Sequence, residues 1–153
     1  RHRAVSFHDV THQAKEIAAR SGIKNGIVVV YSHHTTCSVI TQECAFDMSM
    51  TGLETLQQDL VNVFEEWMPT CRYEGMYLHP GREALVFAEE HGEDNFGCHN
   101  TDAHLRSSII GRNVTIVMAD GEMDLGEFGR IHFIDWDQTR ARQRTVQVMI
   151  IGE

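Results

Sequence analysis

Apolar and polar positions alternate at the start of the chain, with Val5 and Phe7 on one side. From Val10 the apolar spacing lengthens to three and four residues through Ala14, Ile17 and Ala18. A period near two followed by one near 3.6 predicts a short strand and then a helix, capped by Asp9 or Thr11 and ended by Ser21-Gly22. After the Lys24-Asn25-Gly26 turn, the β-branched run 27–31 predicts a central strand buried on both faces. A polar stretch, 32–38, leads into a second strand from Val39 to Glu43, so these polar residues belong at a sheet end, where sites are often built. Leu53, Leu56, Leu60, Val63, Phe64 and Trp67 recur at helical steps and predict an amphipathic helix over 49–67, stopped by Pro69.

Residues 70–83 show no strong period and predict a loop carrying Tyr77 and His79, followed by a short edge strand at 84–88. Asn100 or Thr101 is placed to cap a helix that runs through Ile110 and ends at Gly111. The last third reads as strands: 114–118, a hairpin turn at Asp120-Gly121, then 131–134 and 145–151. On the final strand Val146, Val148 and Ile150 share a face that Arg142 and Arg144 continue. Strands with interspersed helices and no repeated strand-helix-strand unit imply an α+β domain, a single-domain sandwich of mostly antiparallel sheet with a few helices packed on it. No dinucleotide-binding glycine motif follows a strand, and no phosphate-binding P-loop occurs.

A chain of 153 residues, 42% hydrophobic, is long enough for one core without disulfides or a structural metal. Its formal charge of −9 speaks against a general nucleic-acid or membrane-surface binder. The four cysteines form no Cys-x-x-Cys pair, which fits a reducing, cytoplasmic home, and no run of about 18 apolar residues marks a membrane span. Histidine changes the picture: there are 10, and this side chain is both a metal ligand and a group that titrates near neutrality.

Three of them, His34, His79 and His104, fall in loop-like or helix-start positions. Three histidines leave a zinc-like ion an open coordination position, as a catalytic site requires. His99, five residues before His104, is the rival ligand, and Asp94 is placed to join the set or orient a histidine. Taken alone, each loop histidine is more often a hydrogen-bonded structural residue. Cys37, between Thr36 and Ser38, is a candidate nucleophile if an imidazole activates it, against the plainer reading of a buried strand-start cysteine. Arg140, Arg142 and Arg144 alternate and form the densest positive patch on an acidic chain, which suits a phosphate or carboxylate.

Several ordered segments resemble the YjbQ-like family, identified with secondary thiamine-phosphate synthase activity. They are His34-Thr35-Thr36-Cys37-Ser38 with Glu43 beyond; Tyr77-x-His79; Gly92, Asp94 and Asn95; His104 through Gly111; and Arg142-x-Arg144 with the closing Gly152-Glu153. Two stretches depart from the family pattern. Residues 96–103 are an insertion that adds His99, and Gly126-Glu127-Phe128-Gly129-Arg130 lacks the usual Trp and Gln. The resemblance implies a trimer with a histidine-lined, metal-binding pocket and a weak thiamine-phosphate-forming activity. The expectation is a metal-dependent enzyme on a small phosphorylated metabolite. His34, His79 and His104 would hold a divalent ion, zinc or, with a diphosphate substrate, magnesium. Arg142, Arg144 and Asn95 would hold the substrate, and Glu43, Asp94 or Cys37 would do the chemistry. The alternatives are a non-catalytic metal- or metabolite-binding protein on the same scaffold, or a metal-assisted hydrolase.

Overall fold

Two antiparallel sheets take up the alternating segments. The computed structural model describes residues 3–153, so His2 lies outside the described residues. In chain order the elements are β1 (Ser6–Asp9), α1 (Thr11–Ser21), β2 (Gly26–Tyr31), β3 (Cys37–Glu43), α2 (Thr55–Trp67) and α3 (Arg82–Glu90). They continue with a 3-10 turn (Asn95–Cys98), α4 (Thr101–Ile110), β4 (Asn113–Ala119), β5 (Glu122–Met123), β6 (Gly129–Asp135) and β7 (Gln147–Gly152). One sheet has the order β1-β6-β3 and the other β5-β4-β2-β7, and every neighbouring pair is antiparallel. At the β4–β5 hairpin, Asp120 and Gly121 have φ of 53° and 85°. A two-residue turn that matches strand twist needs positive φ at both positions, which Asp and Gly supply at low cost.

The faces of the three-stranded sheet divide the core. Val39, Ile131 and Phe133 turn toward Val28, Val30, Ile116 and Met118 of the other sheet, with Ala14 and Ala18 of α1 packed among them. On the opposite face, Ile134 and Trp136 meet Phe64 of α2, Met68 just past its end, and Ala103 of α4. The molecule is thus a sandwich with helices on one outer side.

Four expectations change. β2 is central, but only Val28 and Val30 are buried while Ile27 and Val29 are half-buried, because among the described residues nothing covers the sheet's outer face. α2 begins at Thr55 rather than 49, since Glu54 and Gln57 form a reciprocal capping box there. Residues 84–88 lie within helix α3; a short apolar run does not by itself separate strand from helix. β7 starts at Gln147, opposite Tyr31, the last residue of β2. Arg142 and Arg144 therefore sit on a loop before the strand, where Ser32 Oγ donates to the Thr145 carbonyl at 3.1 Å.

Register fixes where the site forms. Tyr31, which ends β2, faces Gln147, which starts β7, and Cys37, which starts β3, faces Asp135, which ends β6. The loops 32–36 and 136–146 consequently leave the two sheets at one edge, and the start of α4 lies beside them.

Candidate functional site

A cleft of about 390 Å³ opens at that edge. Its walls come from five stretches: His33 to Thr36 between β2 and β3, His79 before α3, the inner side of α3 at Phe87 and Ala88, Glu93, Gly97 and Cys98 with Asn100 and His104 into α4, and the loop from Asp137 to Arg144. The cleft is therefore lined by imidazole and guanidinium groups on a backbone fixed by the sheets.

His104 sits in the first turn of α4. Its Nδ1 lies 3.2 Å from the Thr35 carbonyl oxygen. A carbonyl only accepts, so Nδ1 carries the proton and Nε2 keeps its lone pair. Burial holds this imidazole below its ordinary pKa, the neighbouring His79 adds to the shift, and the Thr35 bond and Asp137 oppose it. The His79 ring stands edge-on to His104, with centroids 5.4 Å apart.

His34 is committed differently. The Thr145 backbone N–H donates to its Nε2 at 2.9 Å, so in the neutral ring Nδ1 bears the proton. Burial lowers its pKa, as do His33 and Arg144, against Asp135. A zinc ligand must present a free imidazole lone pair, often with the other nitrogen donating to a carbonyl. His104 meets that description and His79 stands beside it, whereas His34 has its lone pair occupied. Among the described residues, no three His, Cys, Asp or Glu side chains are grouped to hold an ion. The donor set fits two imidazoles, not the expected three.

The arginines divide in the same way. Arg144 makes a bidentate pair with Asp135, Nε and Nη2 each at 2.9 Å, donates to Thr36 Oγ1 at 3.1 Å and lies 3.7 Å from Asp137. Burial opposes its charge, but these partners outweigh burial and raise its pKa. Its charge is compensated, and it pins the loop to the strand ends. Arg140 and Arg142 instead share one carboxylate, Glu93, at 3.1 and 3.9 Å. Arg140 also packs so closely on Gly97 that a Cβ there would meet its guanidinium at 2.9 Å.

The remaining expected residues separate from the cleft. Cys37 is fully buried in the core, its thiol donates to Asp135 at 3.6 Å, and burial, reinforced by Asp135, pushes it up to about 12. A thiol held protonated is a packing residue rather than a nucleophile. Glu43 ends β3 opposite Gly129, at the far end of the sheet, beside a separate depression that includes Asp124 and Glu127. Asp94 caps the 3-10 turn by accepting from Phe96 N–H at 3.0 Å, and Asn95 begins that turn; neither lines the cleft. His99 ends the turn with its ring 6.0 Å from Phe96, so of the two rivals it is His104 that faces the cavity. Glu93, Asn100, Asp135 and Asp137 were absent from the expected set. Asn100 was read only as a helix cap, and the Asp135-Trp136-Asp137 alternation at a strand end is the sequence signal that could have found the two aspartates.

The model of the UPF0047 protein YjbQ-like family matches residues 1–153. A UPF0047 protein of Methanothermobacter thermautotrophicus is 30% identical over 95% of this chain and 84% of its own, and the UPF0047 protein YugU of Bacillus subtilis is 24% identical over 92% and 87%. A crystal structure of a hypothetical protein from Aeropyrum pernix superposes with a TM-score of 0.72 at 28% identity, covering 100% of this chain and 95% of that one. A YbjQ-like protein of unknown function from Sulfolobus solfataricus gives 0.75 at 22%, covering 100% and 93%, and speaks to the fold. With a whole-length model match and the expected motifs around its strand ends, the chain belongs to the UPF0047, YjbQ-like family.

Proposed function

We propose that this protein is an enzyme acting on a small phosphorylated metabolite, with the weak thiamine-phosphate synthase chemistry implied by its motifs as the leading candidate reaction. One observation carries the reading: Arg140 and Arg142 converge in one cleft with His104, whose Nε2 has no hydrogen-bond partner among the described residues. The cavity volume suits a metabolite. Guanidinium groups bind phosphate oxygens in a planar, bidentate way and offset the charge that develops on a departing phosphate or pyrophosphate. His104, held neutral near pH 7, accepts or returns a proton at Nε2, and Asp137 favours its transiently charged form. Arg144 keeps the loop in place through Asp135. Cys37, Glu43, Asp94 and Asn95 have no part in this scheme.

A second reading rests on the same free nitrogen. His79 and His104 would hold a divalent ion, zinc by donor type or magnesium shared with phosphate oxygens, and the ion would supply positive charge beside the phosphate. The oligomer in this reading is a homotrimer and the home is the cytoplasm. The outer face of the four-stranded sheet, with Val117, Met149 and Ile151 exposed, supports association. The four free cysteines suit a reducing compartment. Among the described residues no helix is long and apolar enough to cross a membrane.

The test is calorimetric titration with pyrophosphate alongside a coupling assay with phosphorylated thiamine precursors. Pyrophosphate should bind, and His104→Gln should cut turnover by about 10²- to 10⁴-fold with affinity nearly unchanged. A His104→Gln rate equal to that of the native chain overturns proton transfer at this residue. Binding with no product from the native chain assigns the non-catalytic alternative, and elemental analysis of a chelator-free preparation reads the ion directly.

A further inference from the structure

Glu93 is not among the residues that carry the family resemblance, yet it reaches into the cleft and takes the two arginines that an anionic ligand would need. The loop that carries it is fixed where it leaves α3. Glu93 N–H donates to the Ala88 carbonyl at 2.8 Å at the end of α3, and Gly92 provides the turn with φ of 67°. Its Oε2 lies 3.1 Å from Arg140 Nη2 and 3.9 Å from Arg142 Nη2. Opposite, Arg140 is backed by Gly97 and its Nε is buried without a hydrogen-bond partner among the described residues, so this guanidinium has donors to spare beyond the Glu93 pair. Arg144, by contrast, is occupied by Asp135 and leaves no such opening.

We infer that Glu93 is a built-in competitor for the phosphate site: its carboxylate fills the Arg140–Arg142 cradle in the free protein and must swing out before a phosphate-bearing ligand can bind. This rests on the proposed phosphate-binding reading of the cleft. The side chain is half in solvent, so it has room to leave. A ligand's apparent affinity falls by the fraction of time the cradle is open. Weak single carboxylates then fail to displace Glu93, whereas a phosphate, with more charge and three oxygens for the same two forks, displaces it. Glu93 thus sets the charge an anion must carry to enter.

The experiment is titration of the full chain with inorganic pyrophosphate, comparing the native protein, Glu93→Gln, Glu90→Gln and Arg142→Gln at one ionic strength. Glu93→Gln should tighten binding about fivefold. Glu90→Gln removes the same charge from the end of α3 without touching the arginines, and should change affinity by less than about twofold. Arg142→Gln should weaken binding about tenfold or more. Equal effects from Glu93→Gln and Glu90→Gln, or no tightening by Glu93→Gln, overturn the competitor role while leaving the phosphate site intact. Binding that is insensitive to Arg142→Gln, or no binding by any of the four proteins, overturns the phosphate reading of the cleft and the inference with it. Matching thermal unfolding curves for the four proteins keep folding defects out of the comparison.

Discussion

Arg142 and Arg144 are two positions apart and carry the same group, yet one faces a solvent-open cleft and the other locks a strand end. What separates them is the acid within reach. Asp135 takes Arg144 with two bonds, and Glu93 holds Arg142 only at 3.9 Å. Breaking the Asp135 pair would strand a largely buried charge, so its role is positional. His132 poses the opposite case. It is 1% exposed, and neither ring nitrogen has a hydrogen-bond partner among the described residues. Burial lowers its pKa below 6.5, against the pull of Asp9 and Glu54. Above 6.5 both folded and unfolded chains hold it neutral. As pH falls through 6.5 the unfolded chain takes up a proton that the folded one resists, so stability falls. Chemical denaturation from about pH 8 to about pH 6 should show a dropping midpoint, and His132→Leu should flatten that drop without loss at the upper pH. A native midpoint independent of pH would contradict the assignment. Nothing in the sequence separated His132 from the other nine histidines, because burial is decided by β1 and β3 on either side of β6.

At the scale of elements, periodicity located the two long helices, while capping fixed where α2 begins. Glu54 and Gln57 exchange bonds across the first turn, and Glu54 also accepts from Ala45 N–H at 3.0 Å. Glu54→Ala should cost about 1–2 kcal/mol in denaturant unfolding, since it frees a helix-end N–H as well as the Ala45 amide. An unchanged midpoint would show that α2 is held by Phe64 and Met68 packing alone. α4 was legible from its cap position and Gly111 stop, and with it the placement of His104. α3 was not, because residues 84–88 are an unbroken apolar run, too short and too uniform to show a period of two or of 3.6. The insertion at 96–103 was visible as extra residues. Its effect, bringing Gly97 against Arg140, depends on a contact 43 residues away in the chain.

For the whole molecule, the outer face of the four-stranded sheet is the open question of association. Val117, Met149 and Ile151 are 60%, 62% and 54% exposed on β4 and β7, the two strands that flank β2. A contiguous apolar face of this kind is costly to leave in water. Light scattering should give three times the 17.4 kDa chain mass, and Met149→Glu should lower it; a native mass of one chain would overturn the trimer. Alternation, turn chemistry and helical spacing determined the α+β class, the antiparallel strands and the polar loops at one sheet end, because each depends on neighbours a few residues apart. Residue type also marked histidines and arginines as the candidates for a site. Which of them share a cleft was decided only when Tyr31 met Gln147 and Cys37 met Asp135. Register brought His34, His104 and the arginine loop to one edge and sent Glu43 to the other. The engaged lone pair of His34 and the carboxylate of Glu93 between Arg140 and Arg142 belong to the same level, since hydrogen-bond partners distant in the chain are chosen by packing and leave no local pattern.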